Sequence, residues 1–196
     1  MASYRAVNGT LNAVKDYLEA QMPPQLDGVS AAAKVKILSS LDLKKDPVGH
    51  SVGIYLHRIS VDPFGRNRFI PADQPNKLPR PEIPVNLHIL IIGWSSASMA
   101  ESALLAWAIQ QLSTLQLGAS ELGATDPDDW GREDVVQMMP EEMTTEDLLR
   151  IWDALPHSYT LSAPYLIKTI RLAAEEPKES HKRVETLVFE AGENEA

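Results

Sequence analysis

The chain of 196 residues contains no cysteine. That excludes disulfides, thiolate nucleophiles and zinc–thiolate sites together. It has no apolar stretch of membrane-spanning length, and its opening MASYRAVNGTLNAVKDYL lacks the pattern of a secretory signal. Synthesis and folding in the cytoplasm are therefore expected, with no direct membrane insertion. The ten glycines are scattered and build no phosphate-binding loop. Positive charge is short: 18 Lys and Arg stand against 27 Asp and Glu, for a net charge of −9. Such a chain reads phosphate backbones poorly, so no nucleic-acid partner is expected. No His-x-x-x-His pair and no carboxylate at ligand spacing points to a metal, and no cofactor is expected.

What is present is core-forming sequence. At 44% hydrophobic and 23% charged residues, the chain can bury a substantial interior. Residues 85–94 form a nearly continuous apolar, β-branched run, as expected of a central strand covered on both faces. Helical spacing follows at Leu104, Leu105, Ala108, Ile109, Leu112 and Leu115, and Ser98 with Glu101 has the form of a capping box. A first helix is predicted over residues 3–22, with Val7, Leu11, Val14 and Leu18 on one stripe and Pro23–Pro24 as its stop. Strands are predicted over residues 33–38 and 51–61. In the second, the apolar phase slips between Leu56 and Ile59, which predicts a bulge near His57 and Arg58. Six of the fourteen prolines fall in residues 62–84, which predicts a long surface loop without regular structure. Further strands are expected over 135–139, 163–173 and 184–189, with a helix starting at Thr144 and stopped by Pro156. The resulting order, αβββαβαββ, predicts an α+β fold with a mixed sheet and flanking helices. Residues 1–175 read as one domain and 176–196 as a charged linker with a terminal strand or tail.

Charge is unevenly spread. Residues 121–147 hold ten acidic residues and one basic, whereas residues 44–80 hold seven basic and three acidic. An acidic and a basic face on one small protein suit head-to-tail contact between copies, or are simply two solvated surfaces. Gly93-Trp-Ser95-Ser-Ala97 sits between strand and helix, where a hydrolase nucleophile elbow would sit, but departs from G-x-S-x-G at its last position. Asp134 or Asp153 with His157 or His181 would complete a triad in chain order; Ser95 and Ser98 are equally well explained as helix-start residues. His57 and His88 could face each other across strands and hold a metal, although a hydrogen-bonded structural role suits a strand histidine better. Trp107 and Trp152 read as core anchors, while Trp130, in a hydrophilic segment, reads as an interface residue. The run Arg183-Val-Glu-Thr-Leu-Val-Phe189 either closes its own sheet or adds a strand to a neighbour's sheet edge.

Four blocks, in order, carry a resemblance. They are residues 54–68 (with Asp62-Pro63 and Arg66-Asn67), 84–94 (with Leu87-His88, leading to the Glu101 to Ala108 helix), 143–155 (Glu146 to Trp152) and 159–165 (Tyr159 to Tyr165). They resemble the tail-terminator, or cap, proteins of extracellular contractile injection systems, which are phage-tail-like particles. The proline-rich loop departs from the family pattern, and some relatives carry a further C-terminal domain for which no counterpart is expected here. The resemblance implies a terminator-like fold and a structural protein without an active site. It implies a ring of six copies on the end of the inner tube, which ends tube growth and anchors the last sheath ring. The implied partners are further copies, the sheath protein and the inner tube protein, in a particle assembled in the cytoplasm and released outside the cell. On this reading Arg66 and Arg68, facing Asp128, Asp129 and Trp130, supply ring contacts, and Val184, Leu187 and Phe189 supply strand addition. The alternatives are a serine hydrolase built on Ser95 and the tail-completion protein of an ordinary contractile phage.

Overall fold

A computed structural model describes residues 2–26, 29, 32–63, 69–70, 80–113, 115–118, 122, 130 and 135–173. In chain order the elements are α1 (Ala6–Gln21), β1 (Lys34–Leu38), β2 (Ser51–Val61), β3 (Phe69–Ile70), β4 (Arg80–Trp94), α2 (Ser98–Leu112), β5 (Gln116–Leu117), β6 (Val136–Pro140), α3 (Thr145–Asp153) and β7 (Ser162–Ala173). The strands form a seven-stranded sheet of order β1-β2-β4-β7-β6-β5, with β3 paired to β4. β1 runs parallel to β2 and every other pairing is antiparallel, so the sheet is mixed and the fold is α+β, as its pattern predicts.

β4 is the central strand, and both its faces are covered. Leu87, Ile89 and Ile91 join the main core with α1 and α2, whereas Leu90, Ile92 and Trp94 join a second core with Leu38, Leu43 and Trp152. A strand that alternates between two apolar layers needs no polar alternation, which is why residues 85–94 read as one apolar run. α3 seals the second core: Thr144 caps it by accepting from the Asp147 N–H at 3.1 Å, and Leu148, Ile151 and Leu155 pack beside Trp152. The predicted bulge in β2 is present, with the pairing to β4 shifting between Leu56 and Arg58.

Two local expectations are corrected, and the short strands β3 and β5 lie outside the predicted set. β4 starts at Arg80, inside the proline-rich segment. Pro84 is tolerated because its carbonyl accepts from the Asp62 N–H at 2.9 Å on the side where β2 ends, so its missing donor costs no bond to β7. The two-residue β5 is too short to show a period. The Ser98–Glu101 capping box does not form: α2 has Ala97 at its N-cap with no side-chain cap, and the Glu101 carboxylate accepts instead from the Leu161 N–H at 2.6 Å. A tertiary donor 60 residues away outcompetes the local one. The predicted strand 184–189 and the boundary near residue 175 lie outside the described residues.

Candidate assembly surfaces and a buried histidine network

The register between β2 and β4 sets Arg58 opposite His88 and Ser60 opposite Asn86, on the sheet face beyond the reach of α3. His88 is 5% exposed, and both of its ring nitrogens are engaged. Nδ1 lies 2.7 Å from Glu141 Oε1, while Nε2 lies 2.7 Å from Ser60 Oγ and 3.2 Å from Arg58 Nη2. A guanidinium can only donate, so Nε2 is the acceptor and Nδ1 carries the proton towards Glu141. Glu141 follows β6, two strands from β4, and reaches His88 across β7. The network therefore pins the connection between β6 and α3 to the centre of the sheet. His57, the bulge residue, meets His88 edge to face at 6.0 Å between ring centres. Burial pushes its pKa below the ordinary histidine value, with Glu141 opposing and His88 and Arg58 reinforcing that shift.

Acid, histidine and serine are thus in hydrogen-bonded sequence, but Arg58 occupies the lone pair with which His88 would take the serine proton. This arrangement orients side chains and holds no free base. The two histidines face each other as the strand register suggests, and His88 is held by protein groups.

Ser95 is 7% exposed, and its partner is not among those expected from chain order. Its Oγ lies 2.9 Å from His50 Nδ1 and accepts from the Ala97 N–H at 3.1 Å. His157 instead packs on Trp94, with ring centres 4.9 Å apart, and Asp134 and His181 lie outside the described residues. Gly93 is explained by packing. A Cβ there would fall 2.2 Å from the Glu101 carbonyl oxygen, so only glycine lets the first turn of α2 cross the end of β4.

Of the expected interface residues, Arg66, Arg68, Asp128, Asp129, Val184, Leu187 and Phe189 lie outside the described residues. Trp130 is described: it lies in the connection between β5 and β6, is 9% exposed and belongs to the main core. A Cβ on Gly9 of α1 would lie 3.3 Å from its Nε1, so the indole lies close against α1. Its other side lines a cleft of about 300 Å³ with Val136, Gln137, Lys168, Thr169 and Arg171. An aromatic in an acidic segment gave no sign of burial, because the helix that covers it lies over a hundred residues earlier in the chain.

A sheet edge remains. β1 pairs only with residues 51–55 of β2, so residues 56–61 have no strand on their outer side among the described residues. Around this edge Ile59, Val61 and Ile83 are 50%, 41% and 42% exposed. Lys44, Lys45 and Arg58 flank the β1–β2 edge, and in sequence the connection from β5 to β6, residues 118–135, holds six acidic residues and one basic.

The family model described as the Pvc16 N-terminal domain matches residues 9–186. Two solved structures share the fold. One is the sheath/tube terminator of an extracellular contractile injection system, PVC, in the extended state: TM-score 0.50 and 16% identity, covering 97% of this chain and 64% of that one. The other is the anti-feeding prophage cap, a tube-terminating cap: TM-score 0.51 and 15% identity, covering 93% of this chain and 60% of that one. The chain thus spans under two thirds of the length of either, and at these identities the likeness is one of fold. A comparison with the curated proteins gives no match.

Proposed function

The chain belongs to the Pvc16 N-terminal domain family, and from that membership we propose that it is the tail terminator, or cap, of a contractile injection system. It forms a ring of six copies on the end of the inner tube, stops tube growth and anchors the last sheath ring to the tube. Sheath contraction then drives the tube forward through that anchor. The observation that carries the reading is the family match over residues 9–186, supported by a fold shared with one sheath/tube terminator and one tube-terminating cap. The work is done by surfaces and involves no catalysis. Residues 1–175 act as the terminator domain and 176–196 as a linker ending in a strand, which pairs through Val184, Leu187 and Phe189. Arg66 and Arg68 of one copy meet Asp128 and Asp129 of the next. The uneven spread of charge, acidic over residues 121–147 and basic over residues 44–80, favours such a heterologous, closed contact. Assembly takes place in the cytoplasm, and the protein leaves the cell within the particle.

Electron microscopy of particles from cells lacking this gene tests the reading. Tubes of uneven length, or tubes shorn of sheath, are expected. Particles of uniform length with a full sheath would refute it.

A further inference from the structure

The outer edge of β2 is shaped to receive a strand. β1 is five residues long and β2 is eleven, so the parallel pairing ends at Tyr55 and the chain turns away into a 3-10 turn at Asp42–Lys44. In the stretch that follows, residues 56–61, alternate residues point their backbone donors and acceptors away from β4, with no strand opposite among the described residues. Natural edges of this length are usually shortened, covered or guarded by charge. This one carries a single guard, Arg58, beside exposed Ile59 and Val61, with Ile83 exposed on the next strand.

We propose that this edge takes the C-terminal run, residues 183–189, of a second copy of the chain. The inference rests on the ring reading and names the contact that closes it. Length fits, with seven residues against an edge of six. Pattern fits too: Leu187 and Phe189 share one face of an extended run and would cover Ile59 and Val61, while Val184 and Val188 lie over the side of Arg58 and Ser60.

Topology selects a neighbour over the chain's own edge. β7 ends at Ala173, paired to Glu82, on the far side of β4 from β2. The nine residues 174–182 reach about 30 Å when extended, ample for either route. The internal route, however, would have to cross the ribbon of β3 and the start of β4 at that end of the sheet, a crossing that folds avoid. β7 ends on one side of β4, and the acceptor edge lies on the other. Donor and acceptor on opposite sides make a head-to-tail contact, the kind that closes into rings.

The absence of native cysteine makes the test free of background. The single variants Val61→Cys and Leu187→Cys, each verified as folded by circular dichroism, are mixed. They are then oxidised or bridged with a short bismaleimide, which tolerates an error in register. A covalent dimer of the two variants is expected, together with a ladder of covalent oligomers from the double variant. A double variant that runs only as an internally bridged monomer would overturn the proposal in favour of the chain's own edge. A mixture that yields no covalent dimer, with or without rings visible by microscopy, would overturn it as well. Rings without the bridge leave the terminator reading standing. A bridged ring, in cells whose particles are normal without the gene, would instead remove the terminator reading and keep this contact.

Discussion

Replacing Gly93 with alanine is the sharpest test of how the end of β4 is built. The new Cβ would lie 2.2 Å from the Glu101 carbonyl oxygen and 3.0 Å from its carbonyl carbon. Ordinary contact needs about 3.4 Å, so α2 and β4 must separate by roughly 1 Å, and the obstacle is backbone that no rotamer change can move. Overpacking of this kind costs about 3 kcal/mol, the upper part of its usual range. The separation also loosens the bond from Leu161 N–H to Glu101 and that from Gly93 N–H to the Leu161 carbonyl, for about 1 kcal/mol more. A loss of about 4 kcal/mol is expected, read as a fall in the urea midpoint and a Tm lower by roughly 8–16 °C for a chain of this size. Gly53→Ala is the matched control. Its Cβ would fall 2.4 Å from Leu38 Cδ1, the tip of a side chain on the short strand β1 that can swing away, so about 1 kcal/mol is expected. If the two variants lose equal stability, or Gly93→Ala loses less than about 1 kcal/mol, the glycine is not explained by the passage of α2.

Other consequences concern the histidines and Ser95. Glu141→Ala leaves the proton of His88 Nδ1 without an acceptor and should cost about 2 kcal/mol, whereas Ser60→Ala leaves Nε2 its bond to Arg58 and should cost under about 1 kcal/mol; urea denaturation of the two ranks them. His57 has its pKa lowered chiefly by burial, so the folded state binds fewer protons than the unfolded state below the ordinary value of 6.5. Stability should therefore fall as pH drops through that value towards the lower folded-state pKa, and His57→Gln should flatten the slope of urea midpoint against pH. Ser95→Ala removes the bonds to His50 and to the Ala97 N–H and should cost about 1 kcal/mol, with no change in the hydrolysis of a generic ester; loss of a genuine esterase activity in a folded variant would return Ser95 to a catalytic role.

Residue spacing and composition settle the features that depend on local backbone geometry and on burial. The α+β class, the covered central strand, the bulge at His57, the start of α3 at Thr144 and the long stripe of α2 all follow from spacings of two or three to four residues. The family was legible as well, from four blocks spread along the chain. Tertiary structure alone decided which distant groups meet. His88 was visible as a lone polar residue in an apolar strand, but its bond to Glu141 depends on β6 lying two strands away. Ser95 met His50, earlier in the chain, because the parallel β1–β2 unit leads into β2 at the end where β4 gives way to α2. Glu101 left its expected capping role for Leu161, and Trp130, in a hydrophilic segment, packs against α1. The reason is common to all four. A periodic pattern constrains which side of an element is buried, whereas a hydrogen bond across 45 or 60 residues is set by strand order and register, which no local spacing encodes.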